Sequence, residues 1–208
     1  MSQYQAKASY QTELLLLLSE YVFSSRKAAG NIMMEGYYEL GDASVMWIVE
    51  RWTSEKYYEE NKTGIAAKNI SNIENDWVVS PVETLFLTDL ELLMKDGRQN
   101  KMEKGEQMRI MLFVDVKPGS EDHFMSINRD VITAFRNEPG LLVFRLSRFI
   151  NDRTRFVVYK KFRNKDAFQM HLRSAAIVPV IQFLQTSVKE QPFEKGYLYL
   201  IEFAPIIR

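Results

Sequence analysis

The sequence contains no cysteine, which removes disulfides, thiolate metal sites and a cysteine nucleophile together. It lacks an excess of charge of either sign, since 27 basic side chains stand against 27 acidic ones. Without a positive face to neutralise phosphates, nucleic acid is not an expected partner. Long apolar runs are missing too. Leu14 to Leu18 is bracketed by Glu13, Ser19 and Glu20, and it falls far short of the roughly 20 apolar residues that span a bilayer. Nothing basic closely precedes it, as a leader would require. No membrane partner is expected, and the two sequons at Asn61 and Asn69 lose their meaning. HExxH, GxGxxG, P-loop and paired-carboxylate motifs are also absent, so metal hydrolysis, dinucleotide and phosphoryl chemistry have no support. The expectation is a soluble cytoplasmic protein.

What the chain does contain is a repeat. Ser44 to Lys62, SVMWIVERWTSEKYYEENK, reads as a buried strand entering an amphipathic helix, and Thr154 to Leu172, TRFVVYKKFRNKDAFQMHL, repeats the pattern 110 positions later. Few residues are identical, yet the offset holds upstream without a gap. Gly30 falls on Gly140, Arg26 on Arg136 and Gly41-Asp42 on Asn151-Asp152. Leu14, Leu17, Tyr21 and Val22 fall on Phe124, Ile127, Val131 and Ile132. A period of about a hundred residues is a duplicated domain, not a solenoid. At 46% hydrophobic and 12% aromatic residues, both copies have material for a core.

The spacing predicts a helix from Tyr10 to Lys27, strands over Asn31–Leu40 and Ser44–Trp52, and a helix broken by Gly64. The piece after the break puts Ile65, Ala66, Asn69, Ile70, Ile73 and Trp77 on one side. Glu83–Leu93 reads as the closing strand. The first repeat then occupies 1–94, a polar linker 95–107 and the second repeat 108–208. In the second repeat, strands are expected at Met108–Val116, Leu141–Phe149, Arg155–Phe162 and Tyr197–Phe203. Helices end near Arg136 and Arg173, and Pro179 opens another. This β-α-β-β-α-β order is ferredoxin-like. Counting back 110 positions from Met108 lands before Met1, so the first repeat is expected to lack its first strand. Glu91–Leu93 or a neighbouring chain is then the candidate to fill that edge.

These residues carry a resemblance. VDVKPGSEDHF, NEPGLLVFRL and FVVYKKFRNKDAFQMHLRSA in the second half, with Glu50-Arg51-Trp52 in the first, resemble the antibiotic biosynthesis monooxygenase (ABM) family. The resemblance implies an α+β fold in which two ferredoxin-like repeats form a dimeric α+β barrel, here within one chain. Most members assemble it as a homodimer, so a homodimer stays open here. It also implies a cavity for a small aromatic phenol or quinol, oxygen as co-substrate and no cofactor. Haem-degrading members exist, but their first-strand asparagine has no match in MRIMLFVDV. A non-catalytic binding or assembly module of the same fold is the other reading, suggested by Ala176 in place of the motif's second histidine.

His171 matches the family's first helix histidine and is the expected proton acceptor, because imidazole titrates near neutral pH; Tyr159 is the second catalytic candidate. Trp52 matches the signature tryptophan, with Phe162 as its counterpart, and Asn61 takes the place of His171 in the first repeat. These three, with Arg145 as a phenolate partner and Glu50 and Lys160, are the expected substrate contacts. Glu50 and Lys160 occupy equivalent places with opposite charges, and would pair if both faced a common interior. Tyr38 is a weaker polar candidate, and His123 is expected at the surface.

Overall fold

A computed structural model describes residues 1–95 and 107–205; apart from its end residues, the expected linker lies outside them. In chain order the elements are β1 (Ser2–Gln5), α1 (Gln11–Ser25), β2 (Asn31–Glu39), β3 (Val45–Trp52), α2 (Glu55–Lys62), α3 (Ile65–Trp77), β4 (Glu83–Thr84), β5 (Leu87–Lys95), β6 (Met108–Asp115), α4 (Glu121–Asn137), β7 (Leu141–Phe149), β8 (Arg155–Phe162), α5 (Lys165–Arg173), α6 (Val178–Ser187) and β9 (Tyr197–Glu202). They form two compact units, one of Met1–Leu85 with the segment from Leu200, the other of Phe86–Tyr199.

In unit 1 the strands run β4-β1-β3-β2, with the end of β9 outside β2. The apolar stripe of α1 buries Leu14, Leu18, Tyr21 and Val22 against Met46 and Ile48 of β3. These strand residues alternate, as a sheet covered by helices on one face requires. In unit 2 the order is β6-β8-β7-β5. There α4 buries Phe124, Val131, Ile132 and Phe135 against Phe144, Leu146, Phe156 and Val158.

The two repeats share their hydrogen bonds as well as their pattern. Thr53 N donates to Gly30 O at 2.9 Å, and Arg163 N to Gly140 O at 2.9 Å. Asp42 Oδ1 accepts from Ser44 N and Oγ, while Asp152 Oδ1 accepts from Thr154 N and Oγ1. Lys7 N donates to Trp77 O and Lys117 N to Ser187 O, both at 2.8 Å. Every pair keeps the 110-residue offset.

The first strand of repeat 1 corrects the expectation. Ser2–Gln5 pairs antiparallel with β3 in the register Ser2↔Ile48 to Gln5↔Val45, which is the offset image of Leu112↔Val158 to Asp115↔Arg155. Four residues without an aliphatic side chain give no periodic signal, so only the offset could have revealed it. Glu91–Leu93 does not fill that edge, because β5 pairs with β7. The expected closing strand is likewise divided: Glu83–Thr84 pairs with β1 in unit 1, and the chain resumes as β5 in unit 2. Ile65, expected on the buried side of α3, is 81% exposed. It is the first residue after the Gly64 break, at the start of α3. Trp77 is a half-buried anchor stacked on Tyr10 with ring centroids 5.3 Å apart.

Gly30 has φ +74°, and a Cβ there would lie 2.2 Å from the Tyr57 ring. Both the left-handed backbone and the contact oppose a side chain. Gly30→Ala should therefore lose about 3 kcal/mol in urea unfolding. A loss below about 1 kcal/mol would mean that the α1–β2 turn relaxes freely.

Candidate functional site

In unit 2, β8 and α5 bring Lys160 and His171 together on the helix-covered face. Lys160 Nζ lies 2.9 Å from His171 Nε2, and His171 Nδ1 lies 2.7 Å from Glu138 Oε2. Glu138 follows α4, and its other carboxylate oxygen accepts from Ser174 Oγ at 3.4 Å. Nδ1–H donating to the carboxylate leaves Nε2 to accept from the ammonium, so the tautomer follows from the network. His171 and Lys160 are 1% and 6% exposed. The imidazole sits against Phe135 at 4.8 Å and Phe162 at 5.2 Å. Burial pulls the Lys160 pKa down to about 8 against the pull of Glu138. Burial, reinforced by the Lys160 charge, also lowers that of His171, with Glu138 opposing.

Tyr159 is not part of this set. Adjacent strand residues point to opposite faces, so Tyr159 lies across the sheet from Lys160. There it pairs in register with Arg145, whose guanidinium carbon is 5.9 Å from the tyrosine ring centroid. Both are buried. The two expected catalytic residues therefore belong to separate neighbourhoods. Phe162 is a core residue, 5.3 Å from the Phe168 ring.

The corresponding place in unit 1 is built differently. Trp52 Nε1 donates to Glu50 Oε2 at 2.8 Å. Burial raises the Glu50 pKa, with the Trp52 bond and the charges of the N-terminal amine and Lys62 opposing. Asn61 Nδ2 donates to Tyr21 Oη at 3.1 Å and to Ser25 Oγ at 2.9 Å. Burial, then the Glu50 charge, pushes the Tyr21 phenol upward and keeps it protonated. Glu50 and Lys160 share the parity of core residues in their own strands and face their own helices. Each takes part in a network of its own unit, Glu50 with Trp52 and Lys160 with His171. Tyr38 packs against the unit 1 core, and His123 is exposed with its ring edge-on to Phe183.

A cavity of about 340 Å³ opens beside the Asn61 cluster, lined among others by Glu20, Tyr21, Ser25, Asn61, Ile65 and Ala67. That volume lies in the range of small-molecule sites. Sequence reasoning missed Tyr21, Ser25 and Glu138. The available signal was Ser25, a polar residue on the buried stripe of α1, where a hydroxyl requires a partner.

No group of three or more potential metal-ligating side chains occurs among the described residues. His171 does not fit a haem ligand, since Nε2 and Nδ1 are both engaged and the ring is enclosed. In unit 1 an asparagine amide stands at that position. No helix among the described residues is long and apolar enough to cross a membrane.

The fold is thus an α+β tandem of ferredoxin-like units with antiparallel sheets, each carrying a polar cluster between sheet and helices. Residues 108–178, within the second repeat, match the family described as antibiotic biosynthesis monooxygenase, which supports that family for this stretch. The unit 1 cavity lies outside the matched stretch. No curated protein matches the chain significantly. Among solved structures, a proposed monooxygenase from Fusobacterium nucleatum subsp. nucleatum is similar, with 14% identity, TM-score 0.80 and coverage of 97% of this chain and 90% of its own. A proposed monooxygenase from Lactobacillus acidophilus NCFM has 12% identity, TM-score 0.77 and coverage of 97% and 91%. An anthrone oxidase-like protein has 11% identity, TM-score 0.65 and coverage of 99% and 93%. At these identities the likeness concerns the fold.

Proposed function

We propose that the protein is an ABM-type monooxygenase that takes a small phenol or quinol into the unit 1 cavity and oxidises it with oxygen, without a bound cofactor. The observation that carries this reading is the cavity, whose lining includes the hydrogen-bonded Tyr21, Ser25 and Asn61 cluster together with Ile65, Ala66 and Ala67. Apolar walls hold a ring, and the polar cluster holds its oxygen. Tyr21, kept protonated, donates to that oxygen and stabilises negative charge as the substrate loses a proton. Glu20, which lines the cavity, receives it in this reading. The keto tautomer of such a phenol carries a ring methylene; its deprotonated carbon takes up O₂, and with the proton returned from Glu20 to the departing oxygen the sum is CH₂ + O₂ → C=O + H₂O, the substrate supplying all the electrons.

Oxygen uptake against a panel of hydroquinones and anthrones tests this. Asn61→Ala should lower kcat/KM about tenfold or more, as expected for a lost hydrogen-bonding group at a partly buried site. Unchanged rates in the variant would remove the cavity from the mechanism. The second reading, a non-catalytic binding module, is favoured by the lack of a histidine among the cavity-lining residues. Flat oxygen traces with retained ligand binding would select it.

A further inference from the structure

We propose that the chain carries one ligand site and not two: the pocket of unit 1 is open because Ser25 and Ala67 are small, and its counterpart in unit 2 is sealed by Phe135 and Ile177 behind the Glu138–His171–Lys160 network. This rests on reading the unit 1 cavity as a binding site. The 110-residue offset makes the comparison position by position. Ser25, at the cavity wall, corresponds to Phe135, which is fully buried between the rings of Phe144 at 5.3 Å and His171 at 4.8 Å. Ala67, also lining the cavity, corresponds to Ile177, which is 3% exposed.

The polar groups diverge in step with the volumes. Tyr21 stands where unit 2 has Val131, and Asn61 where it has His171. Asn61 joins two hydroxyls beside a cavity. His171 has both nitrogens engaged by charged partners of its own unit, and with the Ser174 contact to Glu138 it ties α5 and the following turn to the end of α4. His171 is therefore a positioning residue for the seal, and Ser25 and Ala67 determine ligand size. The ligand class is a one- or two-ring phenol or aryl ketone, bound by an oxygen facing Tyr21 and Asn61.

Titration of the isotope-labelled full chain with 1-naphthol, followed by amide chemical shifts, tests the proposal. Shifts should cluster at residues 20–25 and 61–69 and saturate at one equivalent. Ser25→Phe should weaken binding at least tenfold, and Ala67→Ile does the same should the first variant fold poorly. Shifts centred on Glu138, Phe162 and His171, a second equivalent, undiminished affinity in both variants, or no shift at millimolar naphthol would each overturn it. Naphthol bound once in unit 1, with no oxygen consumed on any quinol or anthrone, would sink the oxygenase reading and leave the single-site inference standing.

Discussion

Glu138→Ala should destabilise unit 2 by about 1–3 kcal/mol, because it leaves the Lys160 ammonium buried without its counter-charge and His171 Nδ1–H without its acceptor. Lys160 reaches that carboxylate only through His171, at 2.9 Å and 2.7 Å. With the carboxylate gone, the imidazole loses the acceptor that fixes its tautomer, and the ammonium keeps only a neutral partner among aromatic rings. Lys160→Met should be close to neutral or stabilising, since it replaces a desolvated charge with an apolar chain of similar length. In the double variant most of the loss should return. Urea unfolding, read through hydrogen exchange of β8 and α5 amides, separates the cases. A loss under about 1 kcal/mol for Glu138→Ala, or an equal loss for Lys160→Met, would show that the network is not coupled in this way.

The same network should make stability rise with pH in two windows, one below neutrality through His171 and one from about pH 8 to 10 through Lys160. Lys160 has its pKa lowered from 10.5 to about 8 in the folded protein. Below pH 8 it is protonated in both states, and the penalty for burying the ammonium is constant. As pH climbs from 8 towards 10.5 the folded protein sheds that proton while the unfolded chain keeps it, so stability grows. Between pH 7 and 10 the gain should be about 2 to 3 kcal/mol. Above pH 10 the trend reverses, because Tyr21, Tyr58 and Tyr197 hold their protons more tightly when folded. On the acid side the lowered pKa of His171 means that stability is lost as pH falls through its unfolded value. Denaturation midpoints across this range, compared with Lys160→Met, provide the check. An alkaline limb of the same slope in the variant would place the effect elsewhere.

Much of this architecture was legible from one offset. The hairpin turns at Asp42 and Asp152 and the glycines at 30 and 140 carry backbone constraints that survive when side chains diverge, so matching them located both repeats. Individual strands were harder. Ser2–Gln5 has no apolar run, and its burial comes from the neighbours it pairs with. The division of the closing strand near Leu85 depends on pairing with β7, which local composition does not encode. At the site, His171, Asn61, Trp52, Glu50 and Lys160 were all visible as repeat positions. Their partners were not, because Glu138 lies 33 residues from His171 and Tyr21 counted as apolar until its hydroxyl had a neighbour. Strand parity would have separated Tyr159 from Lys160 in advance, since consecutive residues of one strand cannot share a face.

The exchange of end segments has a consequence for cutting the gene. A fragment stopping at Lys95 would lack Leu200–Glu202, which pair with Tyr37–Glu39 of β2. One starting at Met108 would lack β5, leaving the outer rim of β7 bare. Neither product would be a self-sufficient half, and both would expose backbone donors and acceptors that invite aggregation. Each repeat is thus completed by chain from beyond its own boundary, so the two halves fold only when they stay in one polypeptide.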